Sequence, residues 1–185
     1  MRTLRMLGKG RMRIRRALIG IVPLLIVLTV AAGAQAQDPS DIVQWSARLR
    51  SGQHVRPGEK VVAVLAAQIK DGWHIYSITQ PPKGPKATVI SVPPKQIVRM
   101  DGQVKGPKPE TLLDPNLLIP IEIYEHSASL DVPLLVNSSA KAGRAKVVID
   151  VLFEVCNERF CLPPTTVHVP LTVTTVAVAG QAKKQ

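Results

Sequence analysis

Cysteine and the aromatic residues are scarce in this chain. Its 185 residues include two Cys, four His and two each of Trp, Tyr and Phe. Two cysteines and four histidines, with no H-x3–5-H spacing, leave a zinc site short of ligands. So few aromatics, with no basic patch interleaved among them, argue against nucleic acid as a partner. No stretch keeps a 3.6-residue apolar period, and no internal repeat is present. No acidic residue precedes Asp38, whereas seven basic residues lie in residues 2–16.

That asymmetry explains most of the charge. The whole chain carries 24 basic and 13 acidic residues, a net charge of +11. Residues 1–36 combine the basic start with the apolar run ALIGIVPLLIVLTVAAGA and the triplet Ala34-Gln35-Ala36. A positive n-region, a short apolar h-region and a small-residue site make a secretory signal peptide cut after Ala36. An uncleaved anchor is the alternative, since the run reaches the lower length limit for a bilayer span. No cysteine stands at the cut to carry a lipid. Removing the segment leaves 17 basic against 13 acidic residues, a net charge of only +4. The expected location is the periplasm or the cell exterior, where disulfides form and persist.

Beyond Ala36, Val-, Ile- and Thr-rich runs alternate with Pro- and Gly-bearing breakers. Strands are expected at Ile42–Leu49, Val61–Ile69, Trp73–Ser77, Ala87–Val92, Gln96–Met100, Ile119–Tyr124, Leu130–Val136, Ala145–Val155 and Thr165–Thr174. Turn signals recur at the spacing of an antiparallel β-sandwich. Residues 79–118 are the exception: they are rich in proline, and Pro107–Leu118 shows no clear strand. Long irregular segments of this kind are often functional. One domain spanning residues 37–178 and a polar tail at 179–185 follow from this reading.

The stretch CNERFCLPP, residues 156–164, holds both cysteines. A tight turn of this length brings two Cα atoms within the roughly 4.4–6.8 Å a disulfide needs. Such a bridge closes a loop of about six residues, worth roughly 2 kcal/mol in the chain-entropy treatment against roughly 4.7 for a hundred-residue loop. A staple binding two sheets together would join distant strands. Two readings therefore stand: a structural turn bridge, or a disulfide that exchanges with partner thiols. Exchange requires an accessible sulfur and a workable leaving thiolate. Arg159 would favour that thiolate and Glu158 would oppose it. The pair is not C-x-x-C.

FEVCNERFCLPPTTVHVPLTV resembles the closing part of the periplasmic N-terminal domain of the thiol:disulfide interchange protein DsbD family. Lys70-Asp71-Gly72-Trp73-His74-Ile75-Tyr76-Ser77 and Ile121-Glu122-Ile123-Tyr124 resemble two further stretches of that family, in the same order. The similarity extends over nearly all of residues 40–175. It implies an all-β, immunoglobulin-like sandwich in which Cys156 and Cys161 cycle between dithiol and disulfide. It further implies electrons received from a separate membrane protein and passed to exported thioredoxin-like partners, including cytochrome c maturation proteins. No cofactor or small-molecule substrate is then required.

By the same resemblance, His74 and Tyr76 stand beside the disulfide, with Phe160 and Pro163 supporting it. Ordinary packing at the edge of the core is the alternative role for His74 and Tyr76. The family's cap loop corresponds to Asp114-Pro115-Asn116-Leu117-Leu118-Ile119-Pro120. Here Leu117 or Leu118 replaces the family's aromatic lid, and Asp114 is all that remains of its acidic pair. A non-catalytic binding or scaffold module is the competing assignment for the whole chain.

Overall fold

The computed structural model describes residues 37–114 and 118–177, all within the compact unit Ala36–Gln185. The expected signal peptide, its cut at Ala36, Leu117 and the tail at 179–185 lie outside the described residues. Among the described residues, no helix is long and apolar enough to cross a membrane.

The chain opens with a single helical turn, α1 (Pro39–Ile42). Asp38 caps it by accepting from the Ser40 N–H, and Pro39 supplies a preset φ at the first helical position. Ile42, expected in a strand, belongs to this turn instead. Among the described residues, twelve strands follow: β1 (Val43–Leu49), β2 (His54–Val55), β3 (Lys60–Ile69), β4 (His74–Tyr76), β5 (Val89–Ser91), β6 (Val98–Met100), β7 (Glu110–Leu113), β8 (Pro120–Glu125), β9 (Ser127–Val136), β10 (Gly143–Phe153), β11 (Val155–Cys156) and β12 (Thr165–Thr175). All nine expected strands are present, with shifted ends.

The strands form three four-stranded sheets, in the orders β1-β3-β9-β6, β2-β12-β10-β5 and β11-β4-β8-β7. Pairing is antiparallel except for β2 on β12, which is parallel through Thr174↔His54 and Thr175↔Val55. The first two sheets form the body of the β-sandwich. Every second residue of β9 is buried, from Ala128 to Val136, and so is every second residue of β10 from Val147 to Phe153. Period-two burial follows from the pleat, which sends alternate side chains to opposite faces. Leu65, Leu130 and Leu134 of the first sheet share one core with Ile149, Phe153 and Leu171 of the second. The rings of Trp45 on β1 and Phe153 on β10 meet edge to face, 5.6 Å apart. Each such side chain contributes about 1.5–3 kcal/mol by leaving water.

The third sheet, the end sheet, takes up the chain at the ends of body strands: β11 follows directly on β10, and β8 runs directly into β9. Its strands are short, and two of them continue strands of the body. β10 stops at Phe153, and after Glu154 the chain resumes as β11, which pairs with β4 through Val155↔Ile75 and Cys156↔His74. The expected single strand Ala145–Val155 is thus two strands in two sheets. The reason is physical: Phe153 is buried in the body core, and Cys156 joins a separate small cluster with Tyr76, Ile121 and Ile123. β7 lies where no clear strand was expected. It pairs with β8 from Glu110↔Ile123 to Leu113↔Pro120. All four of its side chains are exposed, so no burial pattern marked it in the sequence.

Candidate functional site

Cys156 ends β11, and the chain turns back at once. The Asn157 side chain accepts from the backbone N–H groups of Arg159 (2.8 Å) and Phe160 (3.0 Å). The Asn157 N–H donates to the Phe160 carbonyl at 3.0 Å. An Asn that bonds the backbone two residues on is a common turn device. It sets Cys156 opposite Cys161, and the two form a disulfide with their Cα atoms 4.0 Å apart. This is somewhat closer than the sequence reading required, because the two residues also bridge as β partners. The Leu162 N–H then donates to the Val155 carbonyl (2.9 Å), and Pro163 leads the chain away, exposed.

The two halves of the disulfide differ. Cys156 is 2% exposed, whereas Cys161 is exposed at the surface. They border a hollow of about 460 Å³ whose wall includes His74, Tyr76, Leu112, Leu113 and Asp114. Tyr76 is buried and its hydroxyl lies 3.5 Å from Cys156 Sγ and 3.8 Å from Cys161 Sγ. The O–H is the only donor in that contact, since bonded sulfurs carry no proton. His74 packs edge-on against the Tyr76 ring, 5.9 Å between centroids, and lines the same hollow. The two rings share a face because they are two residues apart on β4.

Phe160 lines the hollow while resting edge to face on Trp73, 5.6 Å away, and stays half exposed. Pro163 is not part of the wall. At the β7–β8 hairpin, Asp114 lines the hollow but Leu118 does not, and Leu118 is 75% exposed. The apolar wall on that side includes Leu112 and Leu113 of β7 and Ile121 of β8, which pairs with Leu112. Sequence reasoning missed Leu112 and Leu113, although Asp114-Pro115-Asn116 just beyond them is a turn signal that places them at a strand end.

Glu125 and Glu154 were missed as well. Glu125 lies on the wall. The Glu154 carboxylate and the two sulfurs all lie within 4.8 Å of one another. With both sulfurs in the disulfide, this trio offers one free donor, too few to hold a metal. The local electrostatics follow from desolvation, which disfavours charge. Burial pushes the Glu154 carboxyl above its ordinary range. It raises the Tyr76 phenol too, with the nearby Glu154 and Asp114 charges adding to the effect. Burial lowers the His74 imidazole, which the carboxylates of Glu125 and Asp114 partly offset. At neutral pH the hollow therefore presents a neutral imidazole and an intact phenol.

An all-β sandwich with one half-buried, half-exposed disulfide at its end defines a class of domain, one built to present a cysteine pair. The family model for the thiol:disulfide interchange protein DsbD, N-terminal, matches residues 46–173. The chain belongs to this family, and it is a thiol–disulfide interchange domain with the family's immunoglobulin-like sandwich. Domains of the family work in general with thioredoxin-like proteins and a membrane partner.

Among solved structures, the reduced N-terminal domain of DsbD from Neisseria meningitidis is similar at 19% identity and a TM-score of 0.48. The match covers 75% of this chain and 90% of that one. The N-terminal periplasmic domain of ScsB from Proteus mirabilis matches at 16% identity and a TM-score of 0.49, over 74% of this chain and 48% of that one. No curated protein matches the chain.

Proposed function

We propose that the protein is an exported electron carrier whose Cys156–Cys161 pair takes two electrons from a membrane-held donor and gives them to client disulfides on thioredoxin-like proteins. The observation that carries this reading is the asymmetry of the bridge: one half is exposed and the other buried beneath it. A donor thiolate attacks Cys161 Sγ, forming a mixed disulfide and releasing Cys156 as the leaving thiolate. The donor's second thiol, deprotonated, attacks its own sulfur in that mixed disulfide. The donor departs oxidised, and the chain holds two thiols after taking up two protons. Toward a client the order reverses: Cys161 attacks the client disulfide, and Cys156 resolves the mixed disulfide. The sulfurs themselves carry the electrons, so no bound cofactor is required.

Tyr76 supports this cycle by giving its hydrogen bond to whichever sulfur bears charge. His74 closes the inner side of the hollow, and Asp114 sits where a cap would. Leu112, Leu113 and Phe160 provide an apolar rim for a partner protein to dry. Cleavage after Ala36 would release the domain into the periplasm or the exterior. A Cys156→Ala protein keeps the exposed thiol and lacks the resolving one. It is expected to trap a mixed disulfide with a thioredoxin-like partner, resolvable by reducing gel electrophoresis. If neither this variant nor Cys161→Ala captures any partner, the bridge is a turn staple and the protein a binding module.

A further inference from the structure

Resting on the redox reading above, we propose that Glu154 is the proton-transfer residue of the cysteine pair: its carboxylic acid protonates Cys156 as that sulfur leaves, and its carboxylate takes the proton back when Cys156 must attack. Geometry singles it out. Glu154 occupies the crossing between β10 and β11, two residues before Cys156, and its carboxylate is within 4.8 Å of both sulfurs. That distance is closed by one bridging water or a change of rotamer. Among the described residues, no hydrogen bond or ion pair holds this carboxylate elsewhere.

The chemistry creates the need. Cys156 is 2% exposed and packed with Tyr76, Ile121 and Ile123. A thiolate released there loses its hydration, so its affinity for a proton rises and it becomes a poorer leaving group. A proton delivered as the S–S bond breaks removes that penalty. The other titratable groups around the site serve this step less well. Tyr76, from β4, holds its proton more tightly than an ordinary phenol. It can donate a hydrogen bond but cannot yield the proton to a thiolate. His74, also from β4, lines the hollow but lies outside the cluster formed by Glu154 and the sulfurs. Asp114 and Glu125 line the wall from the other strands, and Glu158 and Arg159 are exposed on the turn. Burial raises the proton affinity of the Glu154 carboxyl, and a thiolate released in the buried Cys156 pocket gains proton affinity by the same desolvation, so the carboxylic acid is the donor suited to it.

The step balances. The attacking thiolate bonds to Cys161 Sγ, the S–S electron pair goes to Cys156, and the Glu154 proton follows it. The products are a mixed disulfide, a neutral Cys156 thiol and a Glu154 carboxylate, which solvent reprotonates.

The test is reduction of the purified oxidised protein by dithiothreitol, with the rate expressed per reductant thiolate. For the wild type, that rate is expected to rise about a hundredfold as pH falls from about 7.5 to about 4.5, the modest end of general acid catalysis. Glu154→Gln should stay flat at the slow, high-pH level. Glu154→Asp, an acid of shorter reach, should recover part of the rise. Two results would overturn the proposal. If Glu154→Gln is flat at the fast level, the carboxylate merely repels the incoming thiolate. If Glu154→Gln follows the wild-type profile, Glu154 plays no part. A disulfide that dithiothreitol fails to reduce in every variant would instead remove the redox reading itself.

Discussion

The body of the sandwich and its end sheet are built on different terms. In the body, β10 and β12 pair over eleven residues in unbroken register, and β3 and β9 over nine. Their inward side chains, Leu65, Leu130, Ile149 and Phe153 among them, are fully buried. In the end sheet, β11 and β4 share two pairs and β4 and β8 three. There Leu113 is 68% exposed and Phe160 48%. A disulfide that must be reached by another protein cannot sit in a close-packed interior. The crossing at Glu154 resolves the conflict. A strand anchored by the body core delivers Cys156 into a region held by few pairs, next to an exposed Cys161.

If stability resides in the body and reactivity at the end, mutations should separate the two. The largest effect is expected from Phe153→Ala, which empties a buried site and should cost about 3–5 kcal/mol in denaturant unfolding. Removing the bridge with Cys156→Ala and Cys161→Ala together should cost only about 2 kcal/mol, because the loop is short, and should leave the β circular dichroism unchanged. A loss as large as that of Phe153→Ala would make the disulfide a structural staple and erase the distinction. Tyr76→Phe should cost about 1 kcal/mol and should slow release of the sulfurs during exchange, because a hydrogen bond to the leaving group is gone. Leu113→Ser should change stability by less than about 0.5 kcal/mol, as exposed substitutions do, while weakening exchange with a protein partner more than with dithiothreitol.

The smallest effect is a pH dependence. Burial holds the His74 imidazole below its ordinary 6.5 in the folded protein. As pH drops below 6.5, the unfolded chain binds a proton that the native state refuses. The contribution of His74 is therefore complete above that value and is lost as pH falls through the native one. Stability of the wild type minus that of His74→Asn, measured across mildly acidic pH, should decline toward acid. A flat difference would mean that the ring is not desolvated.

Much of this arrangement was legible in the sequence. The runs of Val, Ile and Leu between proline-bearing turns marked the body strands, because period-two burial leaves a direct trace. The close spacing of Cys156 and Cys161 marked the bridge, because a turn that short brings its ends together. The family resemblance pointed to His74 and Tyr76; the Tyr76 hydroxyl lies 3.5 Å from Cys156 Sγ, and His74 packs against the Tyr76 ring. What was hidden depended on three-dimensional crossings. β7 has four exposed residues, so no alternation announced it. The two-residue β2 exists only through its parallel contact with β12. Glu154 looked like an ordinary polar position in a long strand. Its place beside the sulfurs arises only because β10 ends at Phe153 and the chain changes sheets. The unequal exposure of the two cysteines likewise follows from β11 pairing with β4, which spacing alone does not encode.

The central claim, that this bridge is an exchangeable redox couple, is tested most directly by titrating the purified protein in glutathione buffers of graded potential. An exchanging pair should equilibrate with the buffer, with a midpoint at roughly −300 mV or higher. A bridge that remains oxidised well below that potential would contradict the account and mark Cys156–Cys161 as a structural link.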